Sequence, residues 1–84
     1  MTPRMSLRVL LFGLYRERAG APQIEIELPA GARVHDLLAG LREYPEFQGL
    51  PGRMAVAVNR RYAEADSPLL PGDEIALIPP VAGG

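Results

Sequence analysis

A chain of 84 residues with 48% apolar content has enough material for one buried core, too little for two, and too much apolar character to stay disordered. Its formal charge of −1 leaves no electrostatic footprint for nucleic acid or an anionic membrane surface. Cysteine is absent, which excludes disulfides, thiolate nucleophiles and Cys-held metals, and no apolar run approaches the length of a bilayer span. All nine basic residues are arginine, so no ε-amine is present for isopeptide bonds between copies of the chain. Base composition or heat adaptation would each account for that bias. Without a signal-peptide pattern at the start, the expected location is the cytoplasm.

In chain order, residues 1–5 read as a flexible leader. Leu7 to Phe12 then alternates as a strand, with Leu7, Val9 and Leu11 on one face and Arg8, Leu10 and Phe12 on the other. Leu14 to Ala19 reads as a short, polar helical turn closed by Gly20. Gln23 to Leu28 is the clearest strand, placing Ile24, Ile26 and Leu28 inward and Glu25 and Glu27 toward water. Val34, Leu37, Leu38 and Leu41 fall at helical spacing, with Asp36 complementing the helix dipole. Gly40 inside that helix predicts a weakening of about 1 kcal/mol relative to Ala.

Pro45 to Gly52 reads as a loop, Met54 to Asn59 as a third strand, and Tyr62-Ala63 as a short return strand. Pro71-Gly72-Asp73-Glu74 is a strong turn signal, and Ile75 to Ile78 is the last strand. This order predicts an α+β domain over residues 6–79, a small mixed sheet with one main helix packed on one face. The β-grasp, or ubiquitin-like, arrangement fits it, with the first and last strands parallel at the centre. If the helix covers Val9, Ile26, Val56 and Leu77, then Leu10, Phe12, Ala55, Ala57 and Ile78 share the other face. That second face, bordered by Arg8, Arg60 and Arg61 with Tyr62 at its rim, is too apolar for simple solvation and predicts a docking surface.

Side-chain catalysis has little to work with. His35 is the only histidine and has no converging partners, and turn and strand positions explain the paired carboxylates. No phosphate-cradling or nucleophile motif is present, and neither a metal nor a bound cofactor is expected. The remaining chemistry lies in the tail. Pro79-Pro80 ends the last strand, and residues 80–84 form an extended tail in which Val81, Ala82, Gly83 and Gly84 are slim enough to thread a narrow channel. Gly84 would carry a carboxylate at the far end. Such a group becomes electrophilic once adenylated, after which a sulfur nucleophile yields a thiocarboxylate and an amine yields an amide.

The segments RVLLFG (Arg8 to Gly13), VHDLLAGL (Val34 to Leu41), VAVN (Val56 to Asn59) and PLLPGDEIALIPPVAGG (Pro68 to Gly84) resemble the small subunits of molybdopterin synthase, sulfur carriers of the β-grasp type. The resemblance covers nearly all of the chain after Met5, and the GDE…PPVAGG ending is its most specific part. It implies adenylation of Gly84 by a ubiquitin-activating-like adenylyltransferase using ATP, and conversion to a thiocarboxylate by a sulfur donor system. It further implies insertion of the tail into the large synthase subunit, which supplies the catalytic side chains, and sulfur transfer there to cyclic pyranopterin monophosphate. It also implies that Phe12, Tyr62 and Ile78 meet the partners. Arg33 departs from the family, where Thr or Ser often caps the helix. Three alternatives stay open: a carrier serving thiamine thiazole, tRNA thiolation or a tungsten cofactor; a ubiquitin-like protein modifier; and a binding module with an inert tail.

Overall fold

The computed structural model describes residues 3–49 and 54–78. Five strands form one sheet: β1 (Arg4–Leu11), β2 (Gln23–Pro29), β3 (Ala55–Val58), β4 (Arg61–Tyr62) and β5 (Ile75–Ile78), in the spatial order β2-β1-β5-β3-β4. β1 and β5 are parallel neighbours at the centre, and every other pairing is antiparallel. Two helices, α1 (Gly13–Ala19) and α2 (Val34–Arg42), and a 3-10 turn at Pro45–Phe47 complete the α+β, β-grasp arrangement.

Strand alternation decides what is buried. Leu7, Val9, Leu11, Ile26, Val56, Ile75 and Leu77 point to one face, where they pack with Val34, Leu37 and Leu41 of α2 in a single core. The helix starts on borrowed acceptors. The Val34 and His35 N–H groups donate to the Ser67 and Ala65 carbonyls at 3.0 and 2.8 Å. Arg33 occupies the N-cap position, and its own N–H donates to Asp36 Oδ2 at 2.8 Å, one half of a capping box. Its guanidinium cannot accept, and instead donates to the Asp66 carbonyl at 2.8 Å, tying the helix start to the loop that satisfies it.

Four expectations change. β1 begins at Arg4, inside the expected leader, because Arg4 and Met5 pair with Pro29 and Leu28 and Met5 is buried. Phe12 lies beyond the strand as the N-cap of α1. α1 is a true helix ended by Gly20 at φ 71°, and it buries Tyr15. The loop after α2 buries Phe47, which stacks on Tyr44 and meets Tyr15 edge-on.

Candidate functional site

The face of the sheet opposite α2 divides in two. Toward β2 it is polar, with Ser6 beside Glu27 and Arg8 beside Glu25 across the β1–β2 ladder. Toward β3 and β4 it is apolar, because the register aligns Leu10, Ala76, Ala57 and Tyr62 in one row across four strands. Ala55 and Ile78 form the next row. Two alanines side by side leave a low floor between taller neighbours. The result is a groove of about 310 Å³, walled by Leu10, Phe12, Tyr62 and Ile78 and rimmed by Arg60 and Glu74.

The four expected interface residues therefore do converge. Phe12 and Tyr62 are 45% and 74% exposed, so both rings stand open to solvent along the groove. Leu10 and Ile78 are half-buried in the sheet, so their outward faces form rigid walls. Of the three arginines expected at the border, Arg60 lines the groove. Arg8 lines a neighbouring polar hollow of about 400 Å³ with Glu25, Asp73 and Glu74, and Arg61 pairs with Val58 and lines neither. Two lining residues lay outside the sequence reading. Strand alternation from Ile78 would have found Ala76, whereas nothing in the turn signal of Pro71 to Glu74 placed Glu74 at a rim.

Glu74 is placed by backbone and side-chain hydrogen bonds to the β3–β4 turn. The Asn59 N–H donates to the Glu74 carbonyl at 2.7 Å, and the Glu74 N–H donates to Asn59 Oδ1 at 3.0 Å. Asn59 Nδ2 also donates to Asp73 Oδ1 at 3.0 Å. Asn59 and Arg60 have φ of 53° and 68°, the pair of left-handed residues that a two-residue hairpin turn requires. The Arg60 side chain reaches over the rim with Nε 3.6 Å from Glu74 Oε1.

The remaining candidates are placed as follows. His35 is exposed on α2, with Nδ1 3.3 Å from Asp36 Oδ1. Among the described residues no cluster of three His, Asp or Glu side chains is arranged to hold a metal, and no helix is long and apolar enough to cross a membrane. Pro80, Val81, Ala82, Gly83 and Gly84 lie outside the described residues. Ile78, the last described residue, is a wall of the groove.

Comparison with known proteins identifies the family and the fold. Residues 9–84 match the model of the ThiS family. The molybdopterin synthase sulfur carrier subunit of Mycobacterium tuberculosis is 38% identical over 82 residues, covering 95% of this chain and 99% of the relative. Among solved structures, the small archaeal modifier protein 1 of Haloferax volcanii superposes with a TM-score of 0.78 at 27% identity, covering 92% of this chain and 99% of that one. A complex of subunits 1 and 2 of the Helicobacter pylori molybdopterin-converting factor contains a chain that superposes with a TM-score of 0.65 at 31% identity, covering 95% of this chain and all of the other. The chain is a β-grasp protein that belongs to the ThiS family, which it shares with the sulfur carrier subunits of molybdopterin synthase.

Proposed function

We propose that this protein is the sulfur carrier subunit of a molybdopterin synthase, acting in the cytoplasm. The observation that carries the reading is the apolar groove of Leu10, Phe12, Tyr62 and Ile78, built at the strand end from which the Gly-Gly segment leaves, in a chain of this family. The six residues after Ile78 span at most about 20 Å, enough to pass from a docked surface into a partner's active site. Proline and glycine suit that path, the first by holding the chain extended and the second by offering no Cβ to clash.

In this reading the Gly84 carboxylate attacks the α-phosphorus of ATP on a ubiquitin-activating-like adenylyltransferase, and pyrophosphate leaves. A sulfur donor system then displaces AMP to give the thiocarboxylate. The carrier docks by its groove on the large synthase subunit, two of each forming a heterotetramer, and its sulfur bonds to cyclic pyranopterin monophosphate. Water then cleaves the acyl–sulfur bond, leaving sulfur on the pterin and regenerating the carboxylate. Two transfers build a dithiolene. This chain supplies the acyl terminus and the docking surface, and the large subunit supplies the catalytic side chains. No metal or cofactor is bound by the carrier itself; ATP is consumed by the activating enzyme.

Intact-mass spectrometry after incubation with ATP, the host's activating enzyme and its sulfur source tests the reading. The expected change is one oxygen replaced by sulfur, localised to Gly84 by fragmentation, and its loss when one residue is added after Gly84. Unmodified protein under conditions that load a known carrier overturns it. The likeness to the archaeal modifier protein favours a second reading, in which Gly84 is joined to lysines of other proteins. Covalent adducts in the host that vanish on deletion of Gly84 distinguish it. Service in another pathway (thiazole, tRNA or tungsten cofactor) is distinguished by which acceptor takes the sulfur.

A further inference from the structure

The Arg60–Glu74 pair at the groove mouth has no adequate explanation in the stability of the fold. Arg60 sits at the second position of a two-residue hairpin turn with φ of 68°, a conformation that glycine adopts freely and a long L side chain does not. Asn59 suits its own left-handed position, because its side chain bonds back to Glu74 and Asp73. Arg60 makes no such local bond. Among the described residues its one ionic contact, Nε to Glu74 Oε1 at 3.6 Å, joins side chains that are 87% and 48% exposed, and ion pairs so exposed add little to folding.

The backbone at both positions is nevertheless anchored. The Glu74 backbone exchanges hydrogen bonds with Asn59, and the turn carrying Arg60 is the one those bonds anchor. Both side chains line the apolar groove, with the cation on the β3–β4 side and the carboxylate on the β1–β5 side. Beyond Glu74 the polar hollow holds Asp73 and, across the β1–β2 ladder from each other, Arg8 and Glu25. The rim thus carries a chemical direction, with the cation on the β3–β4 turn and the carboxylate just before β5 in contact with each other beside the floor of Ala57 and Ala76.

We infer that the Arg60–Glu74 pair is a polarity key that the docking partner reads, and that it determines which partner seats in the groove and in which orientation. The complementary partner surface carries a large apolar side chain for the alanine floor, a carboxylate facing Arg60 and an arginine or lysine facing Glu74. Oriented charges at the edge of an apolar contact reject a reversed or mismatched partner, because like charges would then be brought together. The strained backbone at Arg60 is kept because glycine there would relieve the strain and lose the key. The inference rests on the proposed carrier role, with the large synthase subunit as the partner.

The test is calorimetric titration of this protein with the large synthase subunit of its own organism. The double variant Arg60→Glu with Glu74→Arg restores an internal ion pair but reverses its direction. It is expected to fold with unchanged thermal midpoint and to bind at least about tenfold more weakly. Arg60→Gly is expected to melt no lower than the parent while binding more weakly, a loss of affinity without a loss of stability that a structural role would not produce. Either variant binding as tightly as the parent overturns the inference. Phe12→Arg separates this failure from failure of the underlying reading. If Phe12→Arg also binds normally, the groove is not the docking surface. If Phe12→Arg alone abolishes binding, the groove docks but the charge pair is not read.

Discussion

Tyr15 and Phe47 meet edge-to-face with ring centroids 5.8 Å apart and planes at 88°, joining α1 to the 3-10 turn that follows α2. Each is 2% exposed, so two segments that read as surface turn and loop are pinned by one aromatic contact. Phe47→Ala removes a fully buried ring and leaves Tyr15 facing a cavity. The expected loss is about 3–5 kcal/mol, a large share of a small domain's stability. In thermal unfolding it lowers the midpoint by more than about 10 °C.

The same burial makes stability depend on alkali. Desolvation raises the Tyr15 phenol above its ordinary value of 10.0, since the core disfavours the phenolate. Below that value the phenol is neutral in both the folded and the unfolded chain, and this contribution is present in full. Above it the unfolded chain loses its proton first, so stability falls as pH rises through the raised folded value. Urea unfolding from about pH 8 to about pH 11 should show that decline, and Tyr15→Phe should make it shallower. An unchanged slope in Tyr15→Phe would assign the decline to other groups.

Gly40 has a packing reason to lack a side chain. A Cβ there would lie 3.1 Å from Ile26 Cδ1, so α2 approaches β2 at this position more closely than alanine comfortably permits. Helix propensity alone predicts a gain of about 1 kcal/mol for Gly40→Ala. The tight contact, which the tip of the Ile26 side chain must yield to, should cancel most of it and hold the net change within about 0.5 kcal/mol. Gly40→Val exceeds the space and should cost about 1–3 kcal/mol. Denaturant midpoints of the two variants measure both effects, and a full propensity gain in Gly40→Ala would show the approach to be looser.

Filling the groove should separate docking from folding. Ala57 lies between Ala76 and Tyr62 on the floor, and it faces away from the core. Ala57→Leu adds bulk only on that open side, so folding stability should change by less than about 0.5 kcal/mol. If the proposed carrier role holds, binding to the large synthase subunit, read by calorimetry, should weaken by about tenfold or more, because a side chain of this chain then occupies the partner's place. Normal binding by a stable Ala57→Leu protein would place the contact elsewhere.

Much of this molecule is already determined by local pattern. Period-2 alternation in Leu7 to Leu11 and in Ile24 to Leu28, and helical spacing from Val34 to Leu41, each commit one face to the core before any tertiary contact exists. The apolar content of the second sheet face and the slim Gly-Gly segment are likewise properties of composition and order. The resemblance that begins at Arg8 and ends at Gly84 is also legible in the sequence alone.

Other features required the chain to be folded. Arg4 and Met5 become strand only because Pro29 and Leu28 offer a ladder, a partnership more than twenty residues distant. Tyr15 and Phe47 are buried by each other's segments, and neither segment has a periodicity long enough to announce it. Register decided the groove: the alignment of Leu10, Ala76, Ala57 and Tyr62 depends on parallel pairing of the first strand with the last, and a slip of one residue would turn the row inward. Arg60 and Glu74 meet for the same reason. Local sequence sets which side chains face each way, whereas long-range hydrogen bonding sets which of them become neighbours.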